Sequence, residues 1–156
     1  MSLYLTLKFL HVVGAAVLLG TGAGIAFFLY WAERHEGPGA IAATLRTVVI
    51  ADYVFTATAA LAQPITGLWL VYLVGYPLGQ TWIVASLVLY ALIAACWLPV
   101  VAIQRRMRDI ASAAVEAGAT ALPDTYWRLS RAWFWLGWPA FLSVLAIFWL
   151  MIAKPV

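Results

Sequence analysis

The hydrophobic residues of the chain fall into four long runs separated by short polar stretches. The runs cover about residues 3–32, 48–74, 82–103 and 132–153. Each is at least about 20 residues long, the length that a helix needs to cross the hydrocarbon of a bilayer. The alternation of polar and apolar positions required by transmembrane strands is absent. The pattern predicts an all-α membrane protein, a bundle of four transmembrane helices in up-and-down order that forms one domain over residues 1–156.

The polar stretches predict where the helices begin and end. Charged residues, glycines and a proline at 33–39 interrupt the first run, and residues 75–79 form an uncharged turn. After the third run, apolar residues recur with helical spacing at 107, 110, 111, 114 and 115, so this helix continues until Gly118 ends it. Pro123, Asp124 and Thr125 are typical of a helix start. The expected helices cover about 3–32, 48–74, 82–117 and 124–153.

The composition favours a lipid environment. Hydrophobic residues make up 66% of the chain and charged residues 10%, whereas a soluble domain carries about 25% charged residues. The net charge of +3 comes from two short stretches rather than from a patch suited to nucleic acid, so no nucleic-acid partner is expected. The single cysteine, Cys96, excludes an intrachain disulfide, and its apolar surroundings favour a packing role.

The basic residues predict the orientation. Of the nine lysines and arginines, all but Lys8 and Lys154 flank the first and third connections, which an up-and-down bundle puts on one side. Basic residues concentrate on the cytoplasmic side of membrane proteins. We therefore expect both termini to face outward from a bacterial inner (plasma) membrane. The seven residues on the cytoplasmic side are Arg34, Arg46, Arg105, Arg106, Arg108, Arg128 and Arg131.

His11 is the strongest candidate for chemistry. It lies eight residues into the first helix, or about 12 Å along its axis at 1.5 Å per residue. Lys8 is three residues earlier, on the same helical face. An ionisable residue inside a span is costly, so it indicates function. The imidazole can ligate haem iron or another metal, or pass protons, but a neutral histidine that hydrogen-bonds a neighbouring helix explains the position equally well.

Other polar or small residues share the depth of His11. Gly14 lies one turn away and would let a porphyrin, or another helix, approach closely. In the second helix Pro64 frees a backbone carbonyl near Ala60, and Gln63 could cap that defect. These positions allow a polar layer made of His11, Gln63, Tyr90 and Ser143.

Two expectations concern the cytoplasmic ends of the helices. Asp52 lies at the level of three arginines, so an interfacial ion pair is expected with Arg46, Arg105 or Arg106. Tryptophans are common in the aromatic belt at a membrane surface, and this belt explains Trp127 and Trp133.

Several stretches carry a resemblance to a known family. They are Leu7–Gly14, Gly20-Thr21-Gly22, Gln63–Gly67, Cys96–Val101, Gln104–Arg108 and Leu150–Pro155. Across essentially its whole length the chain resembles the bacterial predicted integral membrane proteins catalogued as domain of unknown function 2269. This resemblance implies a multi-pass membrane protein and brings no established activity.

A more distant likeness is to the HemJ-type protoporphyrinogen oxidases, which are also short four-span proteins. The matching elements are Lys8-x-x-His11, Gly67-Leu68-Trp69 and Lys154-Pro155. The likeness implies that His11 helps to bind haem b. The chain departs from the HemJ pattern where that pattern has a second histidine, a lysine and an Asn-Glu pair; the residues here are Trp31, Ser86 and Leu136-Gly137.

Three hypotheses for function follow. The first is a protein that binds haem b or a porphyrin, with His11 as metal ligand and with Lys8, Gly14, Gln63 and Tyr90 as further cofactor-binding residues. The second is a cofactor-free structural or assembly protein. The third is a HemJ-like oxidoreductase, or a carrier, for a lipophilic substrate such as a quinone. A homodimer in the lipid bilayer is expected, because a thin bundle with small faces at Gly14, Gly20 and Gly24 suits close helix contact.

Overall fold

The computed structural model describes residues 2–155, and over that range the chain is helical without strands. The helices are α1 (Leu3–His35), α2 (Pro38–Ala51), α3 (Thr58–Val74), α4 (Thr81–Glu116) and α5 (Asp124–Ala153). A π-helical segment, Asp52–Ala57, joins α2 to α3 without a break. Helices α2 and α3 therefore form one continuous span, and four helices are long and apolar enough to cross a membrane. The all-α, four-span fold class is confirmed.

The first connection is much shorter than the sequence pattern predicts. The second span begins at Pro38 instead of near residue 48, and only Glu36 and Gly37 separate it from α1. Proline is well suited to the first turn of a helix, where its missing N–H has no partner to lose. Arg46 consequently lies within α2 rather than in a loop. The charged residues and Pro38 therefore mark two adjoining helix ends, and the long loop predicted here is wrong.

Glycines in the left-handed conformation follow two of the helices: one is Gly118, where the sequence predicts the helix end, and the other opens the predicted turn at 75–79. Gly75 has φ +78° and follows α3, while Gly118 has φ +69° and follows α4. In each case the next amide returns to the helix: Tyr76 N–H donates to the Val71 carbonyl at 3.1 Å, and Ala119 N–H donates to Ala114 at 2.9 Å. Such bonds satisfy carbonyls that the helix end would leave free.

The helices pack in pairs rather than as a uniform bundle. Helix α1 lies against α3 and α2, α2 against α4, and α4 closely against α5. Helix α3 makes hardly any close backbone contact with α4 or α5. The bundle is therefore loosest in the half that holds the two termini and the 75–80 connection, which we call the terminal end.

The hydrophobic core lies at the opposite end, which holds the 36–37 and 117–123 connections and is called the basic end. At 1.5 Å per residue the 33 residues of α1 extend about 50 Å, whereas the hydrocarbon is about 30 Å thick. Helix α1 is therefore longer than the hydrocarbon is thick. Apolar side chains attract one another strongly in a part of the bundle that water surrounds, and much less in a part that lipid surrounds. The core members include Leu29, Leu45, Met107, Ala111 and Tyr126, each with 0% exposure.

Candidate functional site

The His11 imidazole is held between α1 and α3. Its Nδ1 lies 2.9 Å from the Thr66 hydroxyl oxygen. His11 is half-buried and lies four residues after Leu7 on the stripe of α1 that also carries the buried Ile25 and Leu29. The side chain is therefore directed into the bundle rather than into the surrounding lipid.

The hydroxyl geometry indicates which imidazole nitrogen carries the proton. Thr66 Oγ1 lies 2.8 Å from the Ala62 carbonyl and 3.2 Å from the Gln63 carbonyl. A hydroxyl has one hydrogen, and here two carbonyls of its own helix compete for it. The Thr66 oxygen then accepts from His11, so Nδ1 is protonated and Nε2 keeps its lone pair.

His11 Nε2 has no hydrogen-bond partner among residues 2–155. A neutral imidazole with one nitrogen anchored and the other free is the arrangement that metal-binding histidines use.

Two glycines allow α1 and α3 to approach at this point. A Cβ on Gly67 would lie 3.0 Å from His11 Cε1, and a Cβ on Gly14 would overlap Gln63 Nε2. The Gln63 amide crosses the helix interface and donates to the His11 carbonyl at 2.8 Å. The space beside Gly14 therefore holds the Gln63 amide.

Tyr90, rather than Gln63, satisfies the defect at Pro64. The Tyr90 hydroxyl donates to the Ala60 carbonyl, which Pro64 leaves without its helical donor. The expectation that Gln63 caps this carbonyl is wrong, because its amide is committed to His11. Tyr90 thus provides a polar link between α4 and α3, whose backbones otherwise hardly meet.

The remaining predicted site residues lie apart from this group. Lys8 is exposed, and its Nζ lies 5.7 Å from the centre of the Tyr4 ring. Ser143 is buried, but its hydroxyl donates to the Pro139 carbonyl of its own helix at 2.7 Å. The structure therefore joins His11, Gln63 and Tyr90 through α3, and Ser143 satisfies its hydroxyl within α5.

Asp52 has no cationic partner, contrary to the expectation of an ion pair. Its side chain is 5% exposed, and the one salt bridge within residues 2–155 joins Arg108 to Asp109. Trp97 Nε1 lies 3.3 and 3.2 Å from the two carboxyl oxygens. The Asp52 carboxyl group thus faces a neutral indole N–H and not the expected arginine side chain.

Gln104 extends the Asp52 network to α5. In the amide orientation that satisfies both neighbours, its nitrogen donates to Asp52 Oδ2 and its oxygen accepts from Trp133 Nε1, each at 3.0 Å. Trp133 is accordingly buried, so the expectation that it belongs to a lipid-facing belt is wrong. Asp52 and Thr56 both lie in the π-helical segment, a rare conformation that is frequent at functional sites.

A second carboxylate, Glu33, is a polar centre that the sequence did not reveal. Tyr126 donates to its Oε1 at 2.7 Å and Ser130 to its Oε2 at 2.9 Å. The signal available in the sequence was its position: Glu33 lies four residues after Leu29 and next to Ala32, at the edge of the buried stripe of α1. Its neighbours Arg34, His35 and Glu36 favour a charged connection instead.

Comparison with protein families gives a match over nearly the whole chain. Residues 5–155 match a family described as predicted integral membrane protein (DUF2269). No curated protein and no solved structure matches the chain. The likeness to HemJ-type oxidases therefore stays a prediction. With four candidate spans and a match over nearly its whole length, the chain belongs to the DUF2269 family of integral membrane proteins.

Proposed function

We propose that this protein binds haem b, or a closely related porphyrin, with Nε2 of His11 as the axial ligand. The observation that carries the proposal is the asymmetric environment of the imidazole. Nδ1 is anchored by Thr66, while Nε2 makes no hydrogen bond within residues 2–155. An outer partner of this kind fixes the tautomer and ring orientation of a ligating histidine.

The set of available donors favours a porphyrin over a bare metal ion. The described chain has no group of three or more histidine, cysteine, aspartate or glutamate side chains close enough to hold a metal. A structural zinc ion needs about four protein ligands, whereas a porphyrin supplies four nitrogens itself and leaves one or two axial positions. When bound, haem iron would supply electron transfer or the binding of a small ligand.

The neighbouring residues have supporting roles in this proposal. Gly14 and Gln63 hold α1 against α3, and Tyr90 stabilises α3 at Pro64. Lys8 lies one turn from His11 towards the terminal end, where its ammonium can neutralise a haem propionate.

An absorption spectrum tests the proposal. The protein is produced with ample haem, purified in mild detergent and examined for a Soret band. We expect the band in wild type and in the control His35→Ala. The His35 ring is exposed and packs against Trp31. We expect no band in His11→Ala, which should still insert, since alanine is readily accommodated in a span. A wild-type protein without the band, or a band that survives His11→Ala, would refute the ligand role.

The second candidate is a cofactor-free structural or assembly protein. It is favoured by the fact that His11 already bonds Thr66 through its ring and Gln63 through its carbonyl. These contacts alone tie two helices together. In this case wild type has no Soret band, and His11→Ala lowers stability.

The finer features of its membrane placement belong to the same proposal. The basic end faces the cytoplasm of a bacterium and both termini lie outside the plasma membrane, because seven of the nine basic residues cluster at the basic end. Two copies associate through the small face of α1 at Gly20 and Gly24, where an added Cβ meets open space or only the Phe28 ring edge at 3.9 Å. A dimer would bring two axial histidines to one assembly.

A further inference from the structure

A groove at the basic end has the features of a site for a phospholipid headgroup. It lies between the ends of α1 and α5, has a volume of about 340 Å³, and is unrelated to the His11 site. Its lining combines the Glu33 carboxylate with two guanidinium groups, Arg34 and Arg131, and with several aromatic rings. Acidic, basic and aromatic groups in one groove suit a ligand that carries both charges.

The acidic part of the groove is preorganised. The two Glu33 oxygens each accept one hydroxyl, from Tyr126 at 2.7 Å and from Ser130 at 2.9 Å. Each carboxylate oxygen can accept a second hydrogen bond. No cationic side chain of residues 2–155 lies within 4.0 Å of Glu33. The carboxylate is therefore fixed in position and half-buried, and it forms no ion pair within residues 2–155.

Aromatic rings beside Glu33 add to its attraction for a cation. Tyr30, Trp127 and Phe134 line the groove, and the Tyr30 and Phe134 rings stack with centroids 6.1 Å apart. Ring faces attract ammonium and guanidinium groups. Arg34 already uses this attraction, with its Cζ 4.2 Å from the centre of the Tyr30 ring. Arg34 is thereby held at the groove, where it can meet an anion.

The groove lies at the depth of lipid headgroups. From Ala153, at the far end of α5, Trp135 and Ser130 are 18 and 23 residues away, or about 27 and 35 Å at 1.5 Å per residue. The hydrocarbon is about 30 Å thick, and the headgroup layers extend the bilayer to about 40–45 Å. With Ala153 at the opposite edge of the hydrocarbon, the charged lining of the groove falls in the phosphate layer of the leaflet at the basic end.

We propose that this groove binds the headgroup of a zwitterionic phospholipid with a primary ammonium, of the phosphatidylethanolamine type. The ammonium donates hydrogen bonds to the free positions of Glu33, and the phosphate pairs with Arg34 and Arg131. A trimethylammonium group has no N–H to donate to Glu33. An anionic headgroup without an amine leaves Glu33 uncompensated next to phosphate.

Lipid competition measured by native mass spectrometry tests the proposal. The full chain, delipidated in mild detergent, is offered phosphatidylethanolamine, phosphatidylcholine and phosphatidylglycerol with identical acyl chains. We expect phosphatidylethanolamine to bind with about tenfold preference over phosphatidylglycerol. This factor corresponds to the free energy of hydrogen bonds between one ammonium and the Glu33 carboxylate. Equal binding of the three lipids would overturn the proposal.

Matched variants assign the preference to Glu33. Glu33→Gln keeps the side-chain shape; its amide oxygen accepts from one of the two hydroxyls and its NH₂ donates to the other, which a hydroxyl oxygen can accept, so the fold is retained. We expect the preference to disappear. Glu36→Gln, three residues on and exposed, should keep it. Arg131→Gln should weaken the binding of phosphatidylethanolamine and phosphatidylglycerol alike. A preference that survives Glu33→Gln overturns the proposal, as does binding of free phosphoethanolamine as tight as that of the lipid, since that result would identify a soluble ligand.

Discussion

The Thr66 hydroxyl oxygen accepts a hydrogen bond from His11 Nδ1–H, because the hydroxyl's own hydrogen is donated to a carbonyl of α3. A proline-containing span therefore determines the tautomer of a histidine on another span. Because Thr66 holds the His11 ring without being the proposed ligand, replacing Thr66 tests the positioning of the ring separately from its role as ligand.

Replacing Thr66 by valine should weaken haem binding without removing the ligand. Valine keeps the branched shape but leaves His11 Nδ1–H unpaired, and loss of such an outer partner typically costs 10–100-fold in affinity. Titration of the delipidated protein with haem, followed at the Soret band, measures the change. Thr66→Ser retains the hydroxyl and should bind like wild type. Identical affinities for the valine and serine variants would contradict the role of Thr66.

Alanine at Gly14 or Gly67 should separate α1 from α3. Each added methyl meets a group that is already bonded, Gln63 Nε2 or the His11 ring, and overpacking of this kind costs about 1–3 kcal/mol. Thermal unfolding in detergent, followed by circular dichroism, measures the loss. The control is Gly137→Ala, where a Cβ meets nothing within 4 Å. Equal melting temperatures for all three variants would show that the contact contributes nothing.

The variant Asp52→Asn should destabilise the protein. Trp97 and Gln104 both donate to the carboxylate, and an amide replaces one acceptor oxygen with a competing donor. A buried group left unsatisfied costs about 1–3 kcal/mol. Asp109→Asn is the control, because its exposed ion pair with Arg108 is worth little. Denaturant titration of the two variants compares them; a larger loss for Asp109→Asn would contradict the network.

Reporters fused to the chain should establish its orientation. With seven basic residues at the basic end, we expect a periplasm-active reporter to work at both termini and a cytoplasm-active one at the 117–123 connection. Opposite activities would place His11 in the inner leaflet.

A change in the small face of α1 should disrupt self-association. Gly20 and Gly24 are four residues apart, a spacing that permits close helix contact. We expect Gly20→Leu to convert dimers to monomers by mass measurement in mild detergent. Gly22→Leu, on a different face of the same helix, should leave the dimer intact. A wild-type protein that is monomeric at all concentrations would exclude the dimer.

The sequence predicts the spans well because the bilayer makes a simple demand on them. Every backbone group in lipid must be bonded within a helix, so apolar length alone identifies the four spans. The helix end at Gly118 and the turn at 75–79 also follow from the sequence, because glycine readily adopts the positive φ found at helix ends. The start of the second span at Pro38 could not be predicted in this way, because a proline can follow the end of one helix or begin the next, depending on its neighbours.

The polar contacts could not be read from the sequence, because they depend on which helices are neighbours. The depth of His11, Gln63 and Tyr90 was visible, but the partner of each was decided by packing. Asp52 shows the difficulty most clearly. Counting residues placed arginines at its level, yet the face of α4 that meets it offers Trp97 and Gln104. The depth of a side chain in the membrane follows from its residue number, whereas the direction in which it points depends on how all the helices pack.

The position of the hydrophobic core has a consequence for biosynthesis. The cluster at the basic end draws residues from α1, α2, α4 and α5, so it cannot close until the last span has left the ribosome. Before that moment Glu33 lacks both of its donors, Tyr126 and Ser130. Insertion of three spans therefore yields an incomplete intermediate with an unsatisfied carboxylate, and the fourth span completes the assembly. A chain that stops before Leu122 would be inserted yet unfinished, a state open to membrane proteases.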